Sequence, residues 1–119
     1  MLLTRMSAFE LELAEANPSC VVASLAGELD LTNARELEDR LTSAASLDVL
    51  LAIDVNAVVF IDSAALHVFF KLARRRDRSM LAIVMEPTAA VSSTFEIVDM
   101  RSAVRIVASL AEIDVPSAA

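Results

Sequence analysis

The sequence predicts an α/β fold: a mixed β-sheet of four to five strands packed by three to four helices that lie mostly on one side. Three observations carry this. Short alternating or continuous apolar runs recur along the chain, and segments with helical spacing separate them. The run Val49-Leu50-Leu51-Ala52-Ile53 is uninterrupted and apolar, as suits a strand covered on both faces in the middle of a sheet. The helical segments are too few to cover both faces of five strands, so one sheet face is expected to be less covered or used in association.

The first strand is read from the alternation in Phe9-Glu10-Leu11-Glu12-Leu13-Ala14, ended by the turn signal Asn17-Pro18-Ser19. Cys20 to Ala26 gives the second strand, antiparallel to the first through that short turn, and Gly27-Glu28-Leu29-Asp30 leaves it. Thr32 or Asn33 then caps a helix whose apolar positions Ala34, Leu37, Leu41, Ala44 and Ala45 cluster within about 100° of a helical wheel. The covered strand at 49–53 follows, with Asp54 marking its end. Val58-Val59-Phe60-Ile61 leads to Asp62-Ser63, and a second helix buries Ala65, Leu66, Phe69, Phe70, Leu72 and Ala73. Its opposite arc carries His67, Lys71, Arg74 and Arg75, and Val68 is expected to be exposed. Arg74, Arg75, Arg76 and Arg78 close this helix as a solvated basic end matched to the negative pole of the helix dipole. Met80 to Met85 reads as another covered strand. Glu86-Pro87-Thr88 turns into a third helix around 89–99 that Pro87 is able to start. Val104-Arg105-Ile106-Val107 is a last strand, Ser109 to Ile113 a helical turn, and the chain from Pro116 onward a frayed tail.

The 119 residues correspond to a single domain, with a core at about 8–113 and a tail at 114–119. With 56% hydrophobic residues and interrupted apolar runs, the composition is that of a folded globular chain. A formal charge of −7, no Trp and no Tyr argue against direct nucleic-acid binding, which draws on basic charge and aromatic stacking. Gly27 is the only glycine and His67 the only histidine. Gly-rich phosphate loops and Cys/His zinc cages therefore lack their parts, and no cofactor or metal site is expected. Cys20 has no intramolecular disulfide partner and reads as a small buried hydrophobe. Arg5, Glu10 and Glu12 without a long apolar stretch argue against a secretory signal, and no uncharged apolar run nears the ~18 residues of a membrane helix. A cytoplasmic protein without membrane insertion is expected.

The chemistry-bearing feature is the break at Asp62-Ser63, where a strand-like run restarts with helical spacing. A helix N-terminus favours a capping oxygen and also a phosphate on that oxygen, so Ser63 reads as a cap or as a switch, and both stay open. His67 lies four residues on, on roughly the same helical side. It reads as a solvent-facing residue or a partner contact. A serine–histidine hydrolase is disfavoured for want of an orienting third group and an oxyanion site.

Gly27-Glu28-Leu29-Asp30 before a helix, Asp54 at a strand end, and Phe60-Ile61-Asp62-Ser63-Ala64-Ala65-Leu66 opening the next helix together resemble the STAS domain, specifically the stand-alone anti-sigma-factor antagonists of bacteria. The resemblance spans essentially the whole chain. It implies that Ser63 is the phosphoacceptor of a partner that is both anti-sigma factor and serine kinase, of the histidine-kinase-like ATPase fold, with a phosphatase as a further partner. The unphosphorylated form would bind that partner, free the sigma factor and let transcription start in a stress response. Asp30, Asp62, Ala65 and His67 would belong to the docking surface, and no enzymatic activity is implied. The family usually has glycine where this chain has Ala65, whose methyl would narrow the helix mouth, and a small residue where it has His67. Two further roles are compatible with the resemblance: a STAS subunit of a membrane lipid-transport ATPase complex, and a non-phosphorylated STAS module in a stress-signalling assembly. The sequence leaves the oligomeric state open.

Overall fold

A computed structural model describes residues 8–113, so the segment containing Arg5 and the expected tail from Pro116 lie outside the described residues. The elements in chain order are β1 (Phe9–Asn17), β2 (Cys20–Leu29), α1 (Ala34–Ala44), β3 (Leu50–Ile61), α2 (Ser63–Arg75), β4 (Leu81–Val84), α3 (Ser92–Ile97) and β5 (Arg105–Val107). Short 3₁₀ turns occupy Arg78–Met80, Met100–Ser102 and Leu110–Glu112. The strands form one sheet in the order β1-β2-β3-β4-β5, with β1 antiparallel to β2 and the remaining pairs parallel. The expected mixed sheet is thus present. Its antiparallel step follows the Asn17-Pro18-Ser19 turn, which Asn17 closes by accepting the Ser19 amide at 2.7 Å.

Alternation sorts each strand's side chains between two layers. On one face Ala23, Leu25 and Leu29 of β2, Leu51, Ile53 and Val55 of β3, and Leu81 and Ile83 of β4 meet Leu37 and Leu41 of α1, Phe69 and Leu72 of α2 and Phe95 of α3. All three α-helices of the described residues therefore cover the same face. Phe69 and Phe95 meet edge to face with ring centres 5.6 Å apart, which joins α2 to α3 through the core. Fully burying each such Leu or Phe stabilises the fold by about 1.5–3 kcal/mol. On the opposite face Cys20, Val22, Leu50, Ala52, Ala82 and Val84 form a smaller apolar cluster with Ile113. Further along that face Ser24 and Ala57 stay exposed, which matches the expected imbalance in cover. Cys20 is fully buried, and burial pushes its thiol pKa up.

The structure corrects several local expectations. Asp54 does not end a strand: β3 runs on to Ile61, because β2 continues to pair with it as far as Leu29 beside Ile61. The interruption becomes irregular pairing, since Ser24 and Ala26 lie opposite Asp54 and Ala57, and β3 carries one residue more than β2. Asp54 Oδ1 accepts the Asn56 amide at 2.9 Å and Asn56 Nδ2 at 3.0 Å, which satisfies the backbone at the bulge. Gly27 likewise stays within β2, at a φ of 100° that side-chain-bearing residues rarely adopt. A Cβ there would lie 2.6 Å from the Ala8 carbonyl oxygen.

Pro87 does not open α3, which starts only at Ser92 and spans six residues. Val68 is buried and Phe70 and Ala73 only partly so, because α1 lies beside α2 and shifts the buried arc toward it. The basic end of α2 is not uniformly solvated. Arg76 is buried, donating from Nε to Met80 O at 3.1 Å, from Nη1 to Ala45 O at 3.3 Å and from Nη2 to Ser46 O at 2.8 Å and to Val49 O. One guanidinium thus satisfies the carbonyls where α1 ends and β3 begins. Nothing local in a four-arginine cluster singles out the third residue for that position.

Candidate functional site

Parallel pairing brings the carboxyl ends of β2 and β3 side by side, with Leu29 opposite Ile61. The chain then leaves β2 into α1 and β3 into α2, so two loop-to-helix junctions meet at one edge of the sheet. Asp62 binds them together. Its amide donates to Leu29 O at 3.1 Å. Its carboxylate accepts the Ala65 amide through Oδ1 at 3.1 Å and the Leu31 amide through Oδ2 at 3.0 Å.

Asp62 therefore occupies the N-cap of α2, with extended backbone angles, and Ser63 is the first helical residue. The expectation of Ser63 as the capping oxygen is corrected: the carboxylate one residue earlier reaches the amide that a cap must satisfy. Ser63 is exposed, and its hydroxyl makes no hydrogen bond among the described residues. The amides of Ser63 and Ala64 lie within the first turn, where helix geometry leaves donors without an intrahelical acceptor.

The facing loop is ordered by its own side chains. Asp30 Oδ1 accepts the Thr32 amide at 2.9 Å and the Thr32 hydroxyl at 2.6 Å. Asn33 is buried, its Oδ1 accepting the Asp30 amide at 3.0 Å and its Nδ2 donating to Glu28 O at 2.9 Å. It sits at the N-cap position of α1 without a side-chain capping bond there. The expected cap by Thr32 or Asn33 is therefore replaced, because both side chains are used to fold the turn that precedes the helix.

Of the residues expected at the site, Asp30, Asp62 and Ser63 are brought together at this edge. His67 is exposed one turn along α2 and makes no hydrogen bond to Ser63 among the described residues. Ala65 is fully buried within the main core. Its methyl points inward, so it offers a partner no surface and does not narrow the helix mouth. Its contribution is the amide that Asp62 accepts.

Three apolar residues around the mouth were not anticipated. Leu31, whose amide Asp62 holds, is 77% exposed, and Val59 and Phe60, at the end of β3, are 64% and 50% exposed. Two consecutive exposed apolar residues break the alternation of a strand. That break, directly before Asp62-Ser63, is the signal that could have marked them. It arises where Gly27 and Glu28 lie opposite Val58 and Phe60, a second irregularity that leaves an extra residue in β3.

Behind the mouth, Glu38 of α1 bridges to Lys71 at 3.1 Å and Arg75 at 3.0 Å of α2. The hydrogen bond from Lys71, followed by that from Arg75, holds the Glu38 carboxyl below the usual carboxylate range. These contacts link the two helices that carry the junctions. Among the described residues no group of three or more His, Cys, Asp or Glu side chains is arranged to hold a metal ion, and no helix is long and apolar enough to cross a membrane. Chemically, the arrangement presents one accessible hydroxyl at the positive end of a 13-residue helix, flanked by carboxylates and apolar surface.

Comparison with known proteins bears on this arrangement. The family model of the STAS domain matches residues 13–113. The crystal structure of an anti-sigma factor antagonist from Mycobacterium paratuberculosis superposes with a TM-score of 0.77 at 20% identity, covering 89% of this chain and 91% of that one. The anti-sigma factor antagonist SpoIIAA, solved in its unphosphorylated form, gives a TM-score of 0.66 at 17% identity, with 88% and 94% covered. An uncharacterized protein of the DUF3478 family with a SpoIIAA-like fold, from Shewanella loihica, gives 0.56 at 11% identity, with 90% and 89% covered. A comparison with curated proteins gives no match. At these identities the structural likeness establishes the fold.

Proposed function

The chain belongs to the STAS domain family, and from that premise we propose that it is an anti-sigma-factor antagonist whose binding is switched by phosphorylation of Ser63. The observation that carries this reading is the division of labour between neighbours: Asp62 caps the helix, and the Ser63 hydroxyl takes no part in holding the fold. A phosphoryl group on Ser63 would thus leave the domain folded and change only its surface.

The proposed partner is an anti-sigma factor that is also a serine kinase of the histidine-kinase-like ATPase fold. Leu31, Val59 and Phe60 supply apolar contact around Ser63, with Asp30, Asp62 and His67 as the polar part of the surface. Docking there buries Ser63. Phosphorylation then adds about −1.5 to −2 charges beside the Asp62 carboxylate, at a surface that must lose water to bind. A thousandfold loss of affinity needs about 4 kcal/mol, within the range of a charge left unpaired at an interface. Release follows locally, the sigma factor is recaptured, and a phosphatase resets the switch. The domain acts in the cytoplasm as a binding module without catalysis of its own.

The test is capture from lysate of the source organism with tagged wild type, Ser63→Ala and Ser63→Glu, combined with mapping of phosphorylated residues. Recovery of a histidine-kinase-like ATPase by wild type and Ser63→Ala but not by Ser63→Glu, with phosphate mapped to Ser63, is the expected result. Equal recovery of a permease and its ATPase by all three would overturn it and make this a transport subunit.

A further inference from the structure

A second feature lies beside β5, the edge strand of the sheet farthest from β1. It is a cleft of about 560 Å3 between α3 and the turn that follows it. That volume falls within the range of small-molecule sites. Met85, Phe95 and Ile106 form an apolar floor, and Glu96, Asp99 and Arg101 supply the charge.

The walls are held in place. Arg101 donates from Nη1 to Ile106 O at 3.2 Å, which fixes the guanidinium over β5 with its other donors available. Arg78 donates to Arg101 O at 3.1 Å and Ser102 O at 3.3 Å, and the Ser102 hydroxyl donates to Asp99 O at 2.7 Å. The backbone carrying Asp99 and Arg101 is therefore fixed from both sides. The ion pairs of the described residues join Glu38 to Lys71 and Arg75 and involve none of the charges of the cleft. Two carboxylates and one guanidinium thus line a single concave site without neutralising one another.

We propose that this cleft binds a basic α-amino acid. Such a molecule carries one carboxylate and two cationic groups, the complement of the lining. The Arg101 fork takes the carboxylate, since a guanidinium pairs with it through two parallel donors. Glu96 and Asp99 take the two cationic groups, and the methylene stem covers the apolar floor formed by Phe95 and Met85. A diamine leaves Arg101 unpaired and repelled. A neutral amino acid leaves one carboxylate without a partner. The inference is independent of the switch at Ser63.

The experiment is an amide-resolved NMR titration of the full chain with L-lysine, norleucine, cadaverine and lysine blocked at both its amino and carboxyl ends. Saturable binding of lysine is expected, with shifts centred on Met85, the 95–101 segment and Ile106, and with the other three probes weaker by about tenfold or more. Arg101→Ala should weaken lysine by about tenfold while strengthening cadaverine, which it no longer repels, and Glu96→Gln, on an exposed residue, should weaken both. Absence of saturable lysine binding, norleucine binding as tightly, or shifts elsewhere on the protein would overturn the proposal. Equal binding of the blocked lysine would also overturn it, because the cleft would then read a side chain on a polypeptide. Thermal melts of each variant separate a lost site from a lost fold.

Discussion

The carboxylate of Asp62 accepts the backbone amide of Leu31 at 3.0 Å across a sequence separation of 31 residues, while its second oxygen caps α2. One side chain therefore fixes a helix start and the position of an exposed leucine beside it. The shape of the proposed docking surface depends on this link.

Asp62→Ala removes the cap and the tether together. A lost N-cap costs about 0.5–2 kcal/mol and a lost hydrogen bond to a charged acceptor about 1.5–3, so a total near 2 kcal/mol is expected at this partly exposed site. Ser63→Ala should fall within about 0.5 kcal/mol of wild type, as surface changes usually do. Urea denaturation of both variants checks the assignment of the cap. A larger loss for Ser63→Ala than for Asp62→Ala would reverse it.

Leu31→Asp and Phe60→Asp test the apolar rim. Both residues are exposed, so melting temperatures should stay close to wild type. Affinity for the proposed anti-sigma-factor partner should fall by about tenfold or more, because a carboxylate placed in an apolar contact must lose its water without gaining a partner. Unchanged affinity in both, by calorimetry, would remove this face from the interface.

Arg76→Met leaves the carbonyls of Ala45, Ser46, Val49 and Met80 without their donor. These acceptors are only partly buried, so water takes over some of them, and with about 1 kcal/mol for each that stays unsatisfied a total loss of about 2–4 kcal/mol is expected. Arg76→Lys should rescue little, because an ammonium lacks the planar spread of donors that reaches these positions. Denaturant midpoints of the two variants decide the point.

Gly27→Ala meets two obstacles, a φ of 100° and a Cβ 2.6 Å from Ala8 O. A destabilisation of about 1–3 kcal/mol is expected for holding a side-chain-bearing residue in that conformation. The clash lies at the β1–β2 pairing, so amide exchange should quicken first in β1, an edge strand with one neighbour. A variant as stable as wild type would mean that β1 adjusts without cost.

Acid titration isolates the α1–α2 link. Because the folded Glu38 pKa lies below its unfolded value, its contribution is complete above the unfolded pKa and is lost as pH falls through the folded one. In melts recorded below the ordinary carboxylate range, wild type should lose its advantage over Glu38→Gln, while a small advantage persists at neutral pH. High salt should shrink that advantage, since these side chains remain partly exposed. An advantage that does not change between acid and neutral pH would contradict the assignment.

Much of the architecture was legible in the chain. Alternation and apolar runs record which side of an element meets a core, and that suffices to place five strands between helical segments and to deduce parallel pairing from the alternation of strands with helices. The Asp62-Ser63 break was visible for the same reason, as a change of period from strand to helix. Local pattern does not encode which distant backbone an oxygen or a guanidinium will reach. Only the parallel docking of β2 on β3 made Asp62 the residue that joins two loops and left Ser63 unengaged. The approach of α1 buried Val68, and the convergence of the α1 end with the β3 start chose Arg76 from a cluster of four arginines. The bulges opposite Ser24–Ala26 and Gly27–Glu28 let β3 continue through Asp54 and expose Val59 and Phe60 together. The sequence by itself determined the layers and the position of the helix mouth, because burial is periodic. Tertiary structure decided the cap, the clamp and the exposed apolar rim, because each depends on pairing between segments far apart in the chain.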